Sequence, residues 1–184
     1  MIKYMNWKGL LYNSIEKCQL TMKETIIEIN SVIAGKLEDK IYSLNYDIKT
    51  NLNWETIYFK IDSVLNGRPN NICYSSDGKG NWLKNGKLIE RFSGCADIDI
   101  SVTPFTNSLP INRLKLAENK EAKLNVLYID VLEEIEKTVN QKYKRLSNNK
   151  YKYENIPNDF EAVILVDQEG FIIDYPGLFK RIDK

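Results

Sequence analysis

The chain has 184 residues, enough to remove about 70% of its unfolded surface from water around one core, and it is read as a single domain over residues 1–184. Lys and Arg number 26 against 25 Asp and Glu, a net charge of +1, which excludes a nucleic-acid binder that works by counterion release. The absence of histidine removes the usual general base, proton shuttle and metal ligand together, and with them Ser-His-Asp, Cys-His and His-metal chemistry.

No apolar run approaches eighteen residues, so no membrane-spanning helix is expected. Cys18, Cys73 and Cys95 are odd in number and lack a Cys-x-x-Cys spacing, which argues against a disulfide scaffold or a zinc site and fits reduced thiols. Residues 1–11 carry Lys3 and Lys8 but only a broken apolar stretch, with no small-residue cleavage site after it, so a cytoplasmic location is expected.

In chain order, a short extended piece is expected around Trp7. Residues 15–22 and 24–34 alternate, with Ile27, Ile29 and Ile33 opposed to Glu28, Asn30 and Val32, and read as an outer pair of strands. Residues 40–49 place Tyr42, Leu44, Tyr46 and Ile48 on one face. Residues 54–64 set Ile57, Phe59 and Ile61 against Thr56, Tyr58, Lys60 and Asp62. Strands this long suggest a strongly curved sheet. Asn66-Gly67, Asp77-Gly78 and Asn85-Gly86 are tight-turn dipeptides, so residues 69–102 read as three or four antiparallel strands of a meander. Gly78-Lys79-Gly80 is a turn rather than a phosphate loop, because Trp82 and a hairpin follow where a helix N-terminus is required.

Residues 96–102 alternate cleanly, with Ile98, Ile100 and Val102 on one face and Asp97, Asp99 and Ser101 on the other. Pro104 stops the strand and hands over to an irregular segment as far as Pro110. Phe105, Leu109, Ile111 and Leu114 make that segment too apolar to stand free. It is expected to pack on the sheet, with Thr103, Thr106, Asn107 and Arg113 supplying hydrogen bonds. Residues 122–130 alternate again. Val131, Ile135 and Val139 recur every four residues among charges, which predicts an amphipathic helix over the first half of 131–146. Tyr151 and Tyr153 share a face, residues 160–167 and 171–175 form a hairpin, and Pro176-Gly177 marks a type II turn.

Gly94, Cys95, Asp97, Asp99, residues 103–107, 109–111, Arg113 and Leu114 together resemble the signature of a bacterial family named for glycolipid binding. Residues 174–179, with Phe160, Ala162, Val166, Asp167, Gly170 and Arg181, resemble its closing motif. Asn112 departs from it, since the family often carries a second arginine there. Gln141 and Tyr143 match a Gln-x-Tyr unit in a region that often reads as extended. The resemblance implies a spiral β-roll akin to bacterial lipoprotein and glycolipid carriers, with an apolar cavity.

The expected fold is all-β and mainly antiparallel, a rolled or spiral sheet or partly closed barrel with at most one substantial helix. The expected function is non-catalytic binding of a glycolipid-like or other amphiphilic molecule. Asp97, Asp99, Thr103, Thr106, Asn107 and Arg113 would lie near the head group, Phe105 or Tyr175 would border the apolar part, and the polar loop would sit at the mouth. No catalytic residue, metal or cofactor is assigned. Two other readings stay open. One is a histidine-free hydrolase or transferase using Asp97 and Asp99, since carboxylates two residues apart on a strand sit about 7 Å apart whether or not they act. The other is a structural or protein-binding module. Cys95 reads as a small buried residue, because no histidine is present to activate it.

Overall fold

A computed structural model describes residues 1–182. The first half is a run of strands: β1 (Ile2–Gly9), β2 (Ser14–Met22), β3 (Ile26–Leu37), β4 (Lys40–Asn51), β5 (Thr56–Leu65), β6 (Arg68–Ser76), β7 (Trp82–Lys84) and β8 (Lys87–Leu88). After a 3-10 turn at Glu90–Phe92 comes β9 (Asp97–Ile100), a second 3-10 turn at Phe105–Asn107 and the helix α1 (Ser108–Leu114). The chain ends with β10 (Glu121–Asp130), β11 (Ile135–Ser147), β12 (Lys150–Ile156), β13 (Glu161–Val166), β14 (Ile172–Tyr175) and β15 (Phe179–Arg181).

All fifteen strands belong to one sheet, in the order β8-β7-β6-β5-β4-β3-β2-β1-β15-β14-β13-β12-β11-β10-β9. Two meanders therefore run outward from a seam where β1 meets β15, with Trp7 opposite Arg181 and Gly9 opposite Phe179. Inside that seam the Trp7 indole N–H donates to the Ile172 carbonyl at 2.8 Å. The sheet ends at β8 and β9, so it is an open roll and not a barrel. Side chains bring its two limbs together: the Tyr74 hydroxyl on β6 donates to Glu136 on β11, and Thr138 Oγ1 on β11 donates to the Arg91 carbonyl at 2.8 Å.

The strands form where alternation demands it. In β3 and β4 the buried set is Ile27, Ile29, Ile33, Leu44, Tyr46 and Ile48, while Val32 is 56% exposed. Each such aliphatic side chain contributes about 1.5–3 kcal/mol by leaving water. β2 and β3, expected as an outer pair, lie well inside the sheet order. A register shift between Lys49 and Thr50 changes the phase of β5, so that Thr56 faces inward although alternation placed it outward. Asn85 and Gly86, both at positive φ, close the β7–β8 hairpin as that dipeptide predicts.

Two expectations about the middle of the chain are corrected. The meander of residues 69–102 keeps only β6, β7 and β8. β9 leaves it and pairs in parallel with β10, Asp97 opposite Val126 and Ile100 opposite Ile129. The departure begins where Gly94 N–H donates to the Gly80 carbonyl at 3.0 Å, an approach so close that a Cβ on Gly80 would lie 2.9 Å from the Gly94 backbone. Alternation identifies a strand but not its neighbour, and parallel neighbours need a long crossover, usually helical. That crossover is the segment expected to be irregular. Pro110 sits in the first turn of α1, where its missing N–H costs nothing, and Lys115 in a left-handed conformation ends the helix.

The helix expected in 131–146 is absent. Val131 and Leu132 lie in a turn whose backbone N–H groups at Leu132 and Glu133 both donate to Asp130 Oδ1 at 3.1 Å. β11 then pairs with β10 from Ile135 to Lys144 and with β12 from Asn140 to Ser147. Ile135 is 46% exposed, so the four-residue spacing marked no buried face. Over the first half of the segment the ladder to β10 outweighs a weak helical preference.

Candidate functional site

The segment after β9 lies inside the roll, and every residue from 102 to 110 is buried. Four polar contacts lock it there. Arg113 makes a two-pronged bond to the fully buried Asp97, Nε to Oδ1 at 3.0 Å and Nη2 to Oδ2 at 2.6 Å. Thr106 Oγ1 accepts from the Ile100 N–H and donates to Asp99 Oδ1, each at 3.2 Å. Asn107 Nδ2 donates to the Tyr143 hydroxyl at 2.8 Å. Thr103 Oγ1 lies 2.7 and 2.9 Å from the two carboxyl oxygens of Glu16 and accepts from the Phe105 N–H.

Asp97 and Asp99 share a strand face but not an environment. Asp97 is enclosed with its arginine. Asp99 has neutral partners, Thr106 and the Gln141 Nε2, which donates to Oδ2 at 2.6 Å. Among the described residues no ion pair reaches Asp99. Burial raises its pKa, and the bonds from Gln141 and Thr106 pull it back only in part. Glu16 is a second acid of this kind. Burial pushes it up to about 7, although the hydroxyls of Tyr46, Thr103 and Ser31 oppose the rise.

A cavity of about 550 Å³ opens beside this segment. Its closed end is polar, formed by Asp99, Thr103, Asn107 and Gln141, and its walls include Tyr12, Tyr128, Tyr153, Tyr175 and Phe179. Leu11, Ile156 and Phe160 stand at the mouth, 52%, 38% and 38% exposed. The hydroxyls of Tyr12, Tyr153 and Tyr175 are neither sealed in nor bonded to protein groups among the described residues. Burial raises the phenols of Tyr12, Tyr128, Tyr153 and Tyr175, and the charge of Asp99 adds to each. All four rings thus stand within electrostatic reach of that carboxyl. Two other hollows, of about 320 and 630 Å³, lie on the outer face of β1–β6 and are more open to solvent.

Of the residues singled out in the sequence, Asp99, Thr103, Asn107 and Tyr175 line this cavity. Asp97, Arg113 and Thr106 stand behind it as anchors. Phe105 is packed in the core, its ring 6.4 Å from Trp7 and 6.3 Å from Phe171. The polar loop is at the floor of the cavity and not at its mouth, because the crossover from β9 to β10 runs through the interior. Sequence reading missed Tyr12, Tyr128, Gln141 and Tyr153, which line the cavity, and Glu16, sealed behind Thr103. Glu16 had a signal: it falls in phase with Cys18 and Leu20, an acid on an inward-facing row. Among the described residues no group of three or more His, Cys, Asp or Glu side chains is placed to hold a metal ion.

An open sheet rolled around its own helical crossover, with a tyrosine-walled space beside the crossover, defines an all-β roll with an internal cavity. The chain belongs to the family described as "Putative glycolipid-binding", whose model matches residues 4–181. A DUF1089 family protein from Pseudomonas aeruginosa, of known crystal structure, is 33% identical over 92% of each chain and superposes with a TM-score of 0.82. None of the curated proteins matches the chain. No helix among the described residues is long and apolar enough to cross a membrane.

Proposed function

We propose that this protein binds a glycolipid-like or other amphiphilic molecule in the 550 Å³ cavity without transforming it. The observation that carries the reading is the lining of the cavity: hydrogen-bonding groups at the closed end, aromatic walls, and a mouth that sets the exposed Leu11, Ile156 and Phe160 beside Lys137, Thr138, Asn140 and Asp159. A head group inserts first and meets Asp99, Thr103, Asn107 and Gln141, and the tail leaves along Leu11, Ile156 and Phe160. The volume lies within the roughly 300–1,000 Å³ of small-molecule sites, lined mainly by apolar and aromatic side chains with a few placed polar groups. Each methylene withdrawn from water contributes about 0.8 kcal/mol, so a modest length of tail provides affinity without any reacting group. Asp97 and Arg113 serve the reading indirectly, by holding the floor in place.

We place the protein in a reducing, cytoplasmic setting, a reading supported by its three free thiols. Native mass spectrometry of protein isolated from its own host tests the function: a co-purifying amphiphile is expected. An apo mass, together with no thermal stabilisation by a panel of single-chain amphiphiles, overturns it.

A further inference from the structure

The closed end of the cavity holds a carboxyl that no cation pairs with among the described residues. The fully buried Asp97 has Arg113, and the half-buried Asp167 has Arg181 at 2.8 Å and Lys3 at 3.4 Å. Asp99 has an amide and a hydroxyl. Lys137 is the cationic side chain on the cavity wall, and it is exposed at the rim with its ammonium 5.6 Å from the Tyr128 ring. It forms no ion pair with Asp99. Asp159, also at the rim, adds a second carboxylate to the wall.

Tyr153 and Tyr175 line the same cavity as Asp99, whose charge reaches both phenols, and Phe160 packs against both rings from the mouth. Tyr153, Phe160 and Tyr175 have ring centroids 6.1, 6.1 and 6.3 Å apart and planes inclined at 59°, 62° and 42° to one another. Aromatic rings lining a cavity attract an ammonium through their negative π faces. A neutral sugar hydroxyl can donate to Asp99 but leaves its charge uncompensated, and an uncompensated charge in a low-dielectric site is unfavourable. An ammonium both donates and neutralises.

Building on the amphiphile reading above, we propose that the head group carries a positive charge: the cavity takes an ammonium-bearing amphiphile, its cation seated between Asp99 and the rings of Tyr153 and Tyr175. The test is calorimetric titration with two amphiphiles of equal tail, dodecyltrimethylammonium and dodecyl glucoside, each below its micelle concentration and at matched ionic strength. The ammonium is expected to bind about tenfold tighter. Asp99→Asn, with an unchanged thermal melt, is expected to bring the two affinities together. Should that variant not fold, tetramethylammonium chloride added to the wild-type protein is expected to displace the bound dodecyltrimethylammonium where sodium chloride does not. Equal binding of the two amphiphiles, or tighter binding of the glucoside, overturns the charge assignment and leaves the amphiphile reading standing. Binding of neither overturns both.

Discussion

The two meanders on either side of the β1–β15 seam have the same design and different interiors. The N-terminal limb lines its inner face with Met5, Leu20, Ile29, Leu44, Ile48 and Ile61, and packs them into a continuous apolar cluster. The C-terminal limb presents Tyr143, Tyr151, Tyr153 and Tyr175 with fewer aliphatic neighbours, and the cavity lies on its side. A phenol brings a hydroxyl that needs a partner or open space: Tyr42, Tyr46 and Tyr74 of the first limb bond to protein groups, whereas Tyr153 and Tyr175 of the second line the cavity. Each limb also encloses an acid among neutral groups. Glu16 is sealed by Tyr46, Ser31 and Thr103. Asp99 opens into the cavity. Thr103 touches both environments, bonded to Glu16 on one side and lining the cavity on the other. A sealed acid affects how the protein stands up to pH; an open one is available to a ligand.

The largest expected effect lies in the element that separates the limbs. Arg113→Ala leaves the Asp97 carboxylate buried without its cation, and a loss of about 3–5 kcal/mol is expected in urea unfolding. A loss under 1 kcal/mol would show that the crossover is held by its apolar residues alone.

Next comes the sealed acid. Glu16 titrates near 4.5 when unfolded and about 7 when folded. Between those values the folded state binds the extra proton, so stability is fullest below 4.5, falls as pH rises through the window and levels off above 7, by about 3 kcal/mol in total. Urea unfolding across this range checks it, and Glu16→Gln is expected to remove most of the slope. A slope unchanged in that variant contradicts the assignment. The comparison sharpens at Asp99→Asn, where the carboxyl already faces open space. A stability change of less than about 1 kcal/mol is expected, with lost affinity for amphiphiles. A collapse of stability there would make Asp99 a second sealed acid.

The sequence made the rolled sheet legible because alternation in β3 and β4 reports one buried face directly, whereas β9 and β10 are covered on both faces at Asp97-Ile98 and Val126-Leu127. It also marked Asp99, Thr103, Asn107 and Tyr175, which share one cavity wall. It could not give partners. β9 looks like the last strand of a meander until its parallel register with β10 is seen, and Val131, Ile135 and Val139 look like a helix face until β10 pairs with the segment from Ile135 onward. The rest of the site was hidden for a similar reason. Tyr12 follows β1, Tyr128 lies on β10, Gln141 on β11 and Tyr153 on β12, so they meet only when the roll brings those elements round the crossover. Phe105 illustrates the reverse: an aromatic ring in the signature that belongs to the core.

The account rests on one limb being open and the other closed. Titration of isotope-labelled protein with dodecyltrimethylammonium, followed by amide NMR, tests this most directly. The account predicts shifts at Asp99, Asn107, Gln141, Tyr153 and Tyr175, with Ile29, Leu44 and Ile61 unmoved. Shifts centred on β2 to β5, or on the outer-face hollow beside Asn30 and Asp47, would contradict it.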